Sequence, residues 1–313
     1  MALDLLDAPL RVTWDLHGPA GPMEETAARI VCDRLTSAGV FFVFLEQRPL
    51  AHRAYTALLE RLQAGGCRTT VLCRGELDEL EALESSPLPD EVLLDAEPFA
   101  GPQGIDAGVL SVTLDRLRAA GCEPGLAFVP AAGNLEFLPG LADLCRALGV
   151  GRFKLPNLRI GGNLTPPADG LPLRPGDIAG LREGLGERAG EFGRGLQLEV
   201  HDLFLWEVLF PEGGGERSEY GGCQAGNSLG YVDAAGTLFP CTSWPEAIGS
   251  LLAASLTDLW ASEKRIGIRE RISAIPAGCV GCRDLSVCSG GCRGMALCGY
   301  GNQERDPGCA GRR

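Results

Sequence analysis

Seven short apolar runs punctuate the first two thirds of the chain: RVTWDL (11–16), FFVFLE (41–46), RTTVLC (68–73), EVLLDA (91–96), GLAFVP (125–130), RFKLP (152–156) and LQLEVH (196–201). Each has the length and the β-branched or aromatic content of a single strand. Between them, apolar residues recur with helical spacing and stop at glycine, the residue that most easily takes the left-handed turn ending a helix. Ala28, Val31, Leu35 and Ala38 precede Gly39; Tyr55, Leu58, Leu59 and Leu62 precede Gly65 and Gly66. Val109, Val112 and Leu117 precede Gly121, and Leu138, Leu141, Cys145 and Leu148 precede Gly149. A further helix is expected near 177–192. Strand and helix in alternation, joined by right-handed crossovers, predict a parallel sheet of six or seven strands curling toward a barrel. The fold class is α/β, a partial (β/α)6-type barrel, and such barrels carry their chemistry at the C-terminal strand ends. Asp15, Glu46, Arg74, Asp95 and Glu97 lie near those ends. Solvated strand-end charge explains them as well as catalysis does, and none is assigned a catalytic role.

After a Pro- and Gly-rich loop at 156–175 and the last strand, the linker GGGERSEYGG (213–222) opens a different kind of sequence. The runs LGYVD and TLFPC flank a glycine turn and predict a hairpin over 229–241, and Ser255 with Asp258 reads as a helix-capping pair. The division is a barrel over 1–212 and a smaller module over 213–313.

Composition narrows the function. The chain is 45% apolar and 22% charged, within the globular range, and carries a formal charge of −13. That balance disfavours nucleic acid and anionic membrane surfaces as partners. The first ten residues lack the basic segment of a secretory signal, and the apolar run at 40–45 is far short of the ~18 residues of a membrane span. The expected location is cytoplasmic. Thirteen cysteines, an odd number, argue against a disulfide framework there, and eight of them follow residue 222.

The densest group is GCVGCRDLSVCSGGCRG (278–294), with C-x2-C-x5-C-x3-C spacing. A C-x2-C turn puts two thiolates on one side of a tight loop, where both reach one metal centre, and the surrounding glycines allow backbone N–H groups to approach sulfur. Iron–sulfur clusters are the favoured ligand; structural zinc on four cysteines is the alternative. Cys32, Cys67, Cys73, Cys122 and Cys145 are read as small buried hydrophobes. The three histidines, His17, His52 and His201, are scattered.

Taken together, Cys223, Gly236-x4-Cys241, the four-cysteine run and Cys309 with Asp306-Pro307 ahead of it resemble the seven-cysteine pattern of SPASM domains, the auxiliary-cluster extensions of radical SAM enzymes. PLRVTWDL resembles the strand that precedes their cluster loop. The resemblance breaks at that loop. Where the family has C-x3-C-x2-C, this chain has HGPAGPMEET (17–26), and the family's Gly-Gly-Glu-Pro strand end reads Glu46-Gln47-Arg48-Pro49. Of the residues in this loop, only His17 sits where a missing ligand would be.

The resemblance implies two 4Fe-4S clusters. The second auxiliary cluster would take Cys279, Cys282, Cys288 and Cys309; the first would take Cys223, Cys241 and Cys292. Cys298 is a candidate fourth ligand to the first, Asn227 and Asp233 are weaker candidates, and an iron left open to a substrate or partner is a further option. It also implies a degenerate member that does not bind or cleave SAM, similar to the SPASM proteins of GeoRSP-type maturation systems. Such a protein would work in electron transfer or peptide-substrate binding beside a partner radical SAM enzyme. The rival expectation is an enzyme using the barrel mouth for unrelated chemistry.

Overall fold

The computed structural model describes residues 6–159, 171–211, 222–297 and 305–311. All seven expected strands form: β1 (Arg11–Asp15), β2 (Phe42–Glu46), β3 (Arg68–Cys73), β4 (Glu91–Asp95), β5 (Pro124–Ala127), β6 (Arg152–Leu155) and β7 (Gln197–Val200). They pair in parallel in the order β7-β6-β5-β4-β3-β2-β1, the sequential order that successive right-handed crossovers produce. The helices α1 (Glu25–Ser37), α2 (Tyr55–Ala64), α3 (Leu77–Ser85), α4 (Ala107–Ala119), α5 (Leu138–Ala147) and α6 (Pro175–Leu185) alternate with the strands, followed by α7 (Leu203–Leu209).

The hairpin expected over 229–241 forms from β8 (Leu229–Val232) and β9 (Thr237–Phe239), turning through Gly236 at φ +75°. Its place is a finding of the structure: β8 runs parallel beside β1, with Arg11 opposite Leu229 and Trp14 opposite Val232. The barrel sheet therefore continues through β8 and β9 to β10 (Gly249–Ser250), ten strands among the described residues. The linker at 213–222 and the boundary placed at 212 fall almost wholly outside the described residues.

Strand periodicity divides the side chains into two sets. Val12, Trp14, Val43, Leu45, Val71, Val92, Leu94 and Phe153 are buried in the main core beneath the helices. The alternate residues face the concave side of the sheet, where Phe44, Leu93 and Ala127 form a small separate apolar cluster against Leu72. Above and below that cluster the concave face is polar.

One helix turns a different face inward than its pattern suggested. In α4 the buried residues are Leu110, Thr113, Leu114 and Leu117, whereas Val109 and Val112 are 53% and 71% exposed. Two apolar stripes compete on this helix, and the larger leucines at i, i+4 and i+7 take the core.

After β10 the chain forms α8 (Leu256–Trp260), α9 (Glu263–Ser273) and the short turns α10 (Leu285–Cys288) and α11 (Arg293–Met295). Ser255 caps α8, its hydroxyl accepting from the Asp258 amide at 3.0 Å. Among the described residues no helix is long and apolar enough to cross a membrane.

Candidate functional site

Two groups of thiols assemble in the C-terminal third. Cys279, Cys282, Cys288 and Cys309 line one cavity of about 350 Å³, closed on its other side by Ile178, Arg182 and Phe204 from α6 and α7. Local hydrogen bonding fixes the loop that carries them. The amide of Cys282 bonds back to the Cys279 carbonyl at 3.0 Å, closing the C-x2-C turn. Arg305 donates from Nε to the Gly278 carbonyl at 2.6 Å, bringing the segment that bears Cys309 over that turn. The Gly311 amide lies 3.4 Å from the Cys309 sulfur, one N–H directed at a thiolate position. Burial raises the pKa of the Cys279 thiol, and the neighbouring Cys288 and Cys309 raise it further.

The second group is Cys223, Cys241 and Cys292. Burial pushes the Cys292 thiol well up, and beyond it Asp306, Cys223 and Cys241 are the neighbouring acids that add to the shift. Arg269 of α9 holds the Cys223 loop, donating from Nη1 to the carbonyls of Cys223 at 2.7 Å and Ala225 at 2.9 Å. Gly294 lies so close to Ser243 that an added Cβ would stand 2.2 Å from the Ser243 carbonyl oxygen, so a side chain there would force the Cys241 and Cys292 loops apart. Between the two groups sits Asp306, whose buried carboxylate accepts from the amides of Cys292 at 2.5 Å and Gly308 at 2.8 Å. Of the expected residues, Cys279, Cys282, Cys288 and Cys309 line the one cavity, and Cys223 and Cys241 neighbour Cys292. Cys298 lies outside the described residues. Asn227 is buried with its Oδ1 unpartnered, and Asp233 caps the β8–β9 turn through bonds to the amides of Ala235 and Thr237.

Among the described residues no three His, Cys, Asp or Glu side chains are gathered so as to hold one metal ion. The four-cysteine donor set and the amide directed at the Cys309 sulfur fit an iron–sulfur cluster.

At the barrel mouth, sequence reading singled out Asp15 and Glu46 but not the residues that join them. Register sets Asp15 opposite Glu46 on the concave face. Arg159, in the loop after β6, bridges the pair: Nη2 lies 2.7 Å from Asp15 Oδ2, and Nη1 bonds Glu46 Oε2. Tyr231 of β8 donates its hydroxyl to Asp15 Oδ2 at 2.7 Å, and its ring centroid lies 5.1 Å from the Arg159 guanidinium carbon. Nothing in sequence spacing announces this group, since Asp15 and Tyr231 are 216 positions apart. Burial raises the pKa of Asp15 and of Glu46, opposed in each case by Arg159. Arg159 stays charged: burial works against its proton, but Glu46 and Asp15 outweigh it.

The loop expected to lack cluster cysteines is a tight ribbon, His17–Gly18 against Gly21–Pro22. His17 Nδ1 is 3.0 Å from the Gln47 carbonyl, and His52 Nε2 is 2.7 Å from the Met23 carbonyl, roles that position backbone. Gln47 and Arg48 adopt φ of 55° and 54°, and Arg48 turns away to pair with Glu76 and Asp78. Arg74 and Glu97 are exposed, as solvated strand-end charges would be, while Asp95 accepts from the Glu97 amide at 3.0 Å. Cys32, Cys67, Cys73 and Cys145 are buried and Cys122 half-buried; burial pushes Cys32 and Cys145 up to about 12 and Cys67 to about 11, which keeps them inert thiols.

These carboxyls predict a pH profile. Burial raises Asp95 to about 6 in the folded state, while the unfolded value is near 4. The native state therefore binds the proton more tightly, and this group's contribution to stability is full in acid and is lost as pH rises from about 4 to about 6. Asp95→Asn is expected to leave stability in acid unchanged and to raise it at neutral pH, as read by urea unfolding across that range.

Solved structures share this fold. Streptococcus suis SuiB bound to S-adenosylmethionine matches with a TM-score of 0.70 at 17% identity, over 97% of this chain and 78% of that one. SuiB bound to its precursor peptide SuiA matches at 0.67 and 16% identity, over 93% and 73%. Native anSMEcpe with bound AdoMet and the Cp18Cys peptide matches at 0.66 and 13% identity, over 97% and 92%. No family model matches the chain, and no curated protein matches it in sequence. The structural likeness shows the fold alone, an α/β partial barrel shared with these structures.

Proposed function

We propose that this chain is an accessory SPASM-type iron–sulfur protein that does not cleave SAM and serves a partner radical SAM enzyme in peptide or protein maturation. The observation that carries the reading is the contrast within one fold. Four thiols converge on a cavity in the C-terminal third, while the barrel-mouth loop at 17–26 contains no cysteine and the strand ends behind it hold an internal ion group.

In this reading Cys279, Cys282, Cys288 and Cys309 hold one 4Fe-4S cluster, and Cys223, Cys241 and Cys292, with Cys298 as the candidate fourth ligand, hold another. When bound, such clusters supply one-electron transfer. The chain's own residues do the rest: Arg305 and Arg269 fix the cysteine loops, and Asp306 braces the amide of Cys292. The neighbours of this fold crystallised with peptides, SuiA and Cp18Cys, support a peptide substrate for the system in which the chain works. The net charge of −13 favours a partner surface of basic character over nucleic acid or an anionic membrane.

The test is anaerobic reconstitution followed by incubation with SAM and a strong reductant. The expected outcome is SAM binding at background and no 5′-deoxyadenosine, read by chromatography; turnover would overturn the reading that this chain does not cleave SAM.

A further inference from the structure

The barrel mouth contains a receptor that the cluster reading does not use. Two buried carboxylates, Asp15 and Glu46, stand opposite each other at neighbouring strand ends. An aromatic ring, Tyr231, lies on the face of the group they hold, and the Tyr231 hydroxyl fixes the orientation of Asp15. Two anions at the edge and a π-face below suit a planar cation with divided hydrogen-bond donors, and guanidinium has that shape and charge. The occupant comes from the chain itself. Arg159 gives one terminal nitrogen to each carboxylate, so neither carboxylate receives the two-pronged pairing that a dedicated arginine–carboxylate pair makes.

The loop carrying Arg159 is anchored separately from the receptor. Leu158 packs with Met295, and its carbonyl accepts from the Ser243 hydroxyl at 3.0 Å. Residues 156–159 form no helix or strand. Two buried polar atoms at the contact are left over, Asp15 Oδ1 and Arg159 Nε, each without a hydrogen-bond partner among the described residues. A receptor with an unused acceptor, filled by a side chain with an unused donor, is a fit between separable parts.

We propose that Asp15, Glu46 and Tyr231 form a guanidinium-binding site that Arg159 fills from within, closing the barrel mouth to external cations. Nearby charged groups agree with a site of net negative character: Asp95 and Asp233 add to the acidic side, and the remaining base, Lys154, is held by Glu199 at 3.5 Å and lies over the Phe44 ring. Emptying the site should leave a pocket that takes back a small planar cation.

The experiment compares the thermal midpoint of the full chain with that of Arg159→Ala in millimolar guanidinium chloride, with sodium chloride at equal ionic strength as control. In Arg159→Ala, guanidinium is expected to restore at least half of the lost midpoint and sodium none of it. The wild type should not respond, and neither should Arg159→Ala combined with Asp15→Asn. A folded Arg159→Ala chain with equal responses to the two salts overturns the proposal. Should that variant fail to fold, Arg159→Lys decides: a single ammonium cannot present the planar fork, so its midpoint should fall, and a wild-type midpoint overturns the proposal. The readout uses neither iron nor SAM, so failure here leaves the cluster reading standing.

Discussion

Arg159→Ala is expected to lower the free energy of unfolding by about 3–5 kcal/mol near neutral pH, the cost of leaving buried charge without its partner. Asp15 is 2% exposed and Glu46 7%, so neither carboxylate can recover much hydration when the guanidinium is removed. Their escape is protonation. Burial already raises both pKa values in the folded state, and losing Arg159, which opposes that rise, raises them further. The penalty must therefore be smaller in mildly acidic buffer than in mildly alkaline buffer, and Arg159→Ala with Asp15→Asn should lose less than Arg159→Ala alone. Urea unfolding of the three proteins at both pH values measures it. A penalty independent of pH would mean that the loss is one of packing and not of charge.

The second large effect lies in the cysteine module. Cys279→Ala with Cys282→Ala removes two of the four thiols around one cavity and leaves Cys223, Cys241 and Cys292 intact. After reconstitution this variant is expected to lose one cluster's iron and sulfide and to keep the other's, with the broad visible absorption falling by about half. Loss of all iron would mean that the two cysteine sets depend on each other for folding, and retention of all iron would remove Cys279 and Cys282 from the ligand set.

Much of this architecture was legible in the chain because its signals are local. A strand such as FFVFLE and a helix stripe ending at Gly65 and Gly66 are written within a few residues, and they appear as β2 and α2. The C-x2-C-x5-C-x3-C spacing over 279–292 was equally local. The helix face of α4 was misread because Val109 and Val112 also keep helical spacing, and only packing chooses the bulkier leucines. The placement of β8 beside β1 and the Asp15–Arg159–Glu46–Tyr231 group were not legible at all. Both depend on pairings across 100 residues or more, Asp15 with Arg159 being 144 apart, and no local pattern records which strand ends will meet.

That division explains the character of the barrel. Its outer face is an ordinary apolar core, and its concave face carries charge that is satisfied internally: Arg159 by Asp15 and Glu46 at the mouth, Lys154 and Arg11 by Glu199 deeper down. Glu199 behaves oppositely to the mouth carboxyls. Burial would raise its pKa, but the hydrogen bond from His201 and the charges of Lys154 and Arg11 hold it below the ordinary carboxylate range. Its contribution is therefore present at neutral pH and lost in strong acid.

The most direct measurement is the metal content of the anaerobically reconstituted chain, with iron, acid-labile sulfide and zinc counted per protein alongside the visible spectrum. Iron and sulfide are expected in near-equal amounts, enough for two clusters, with broad absorption that bleaches on reduction. A colourless protein carrying stoichiometric zinc and no sulfide would contradict that expectation.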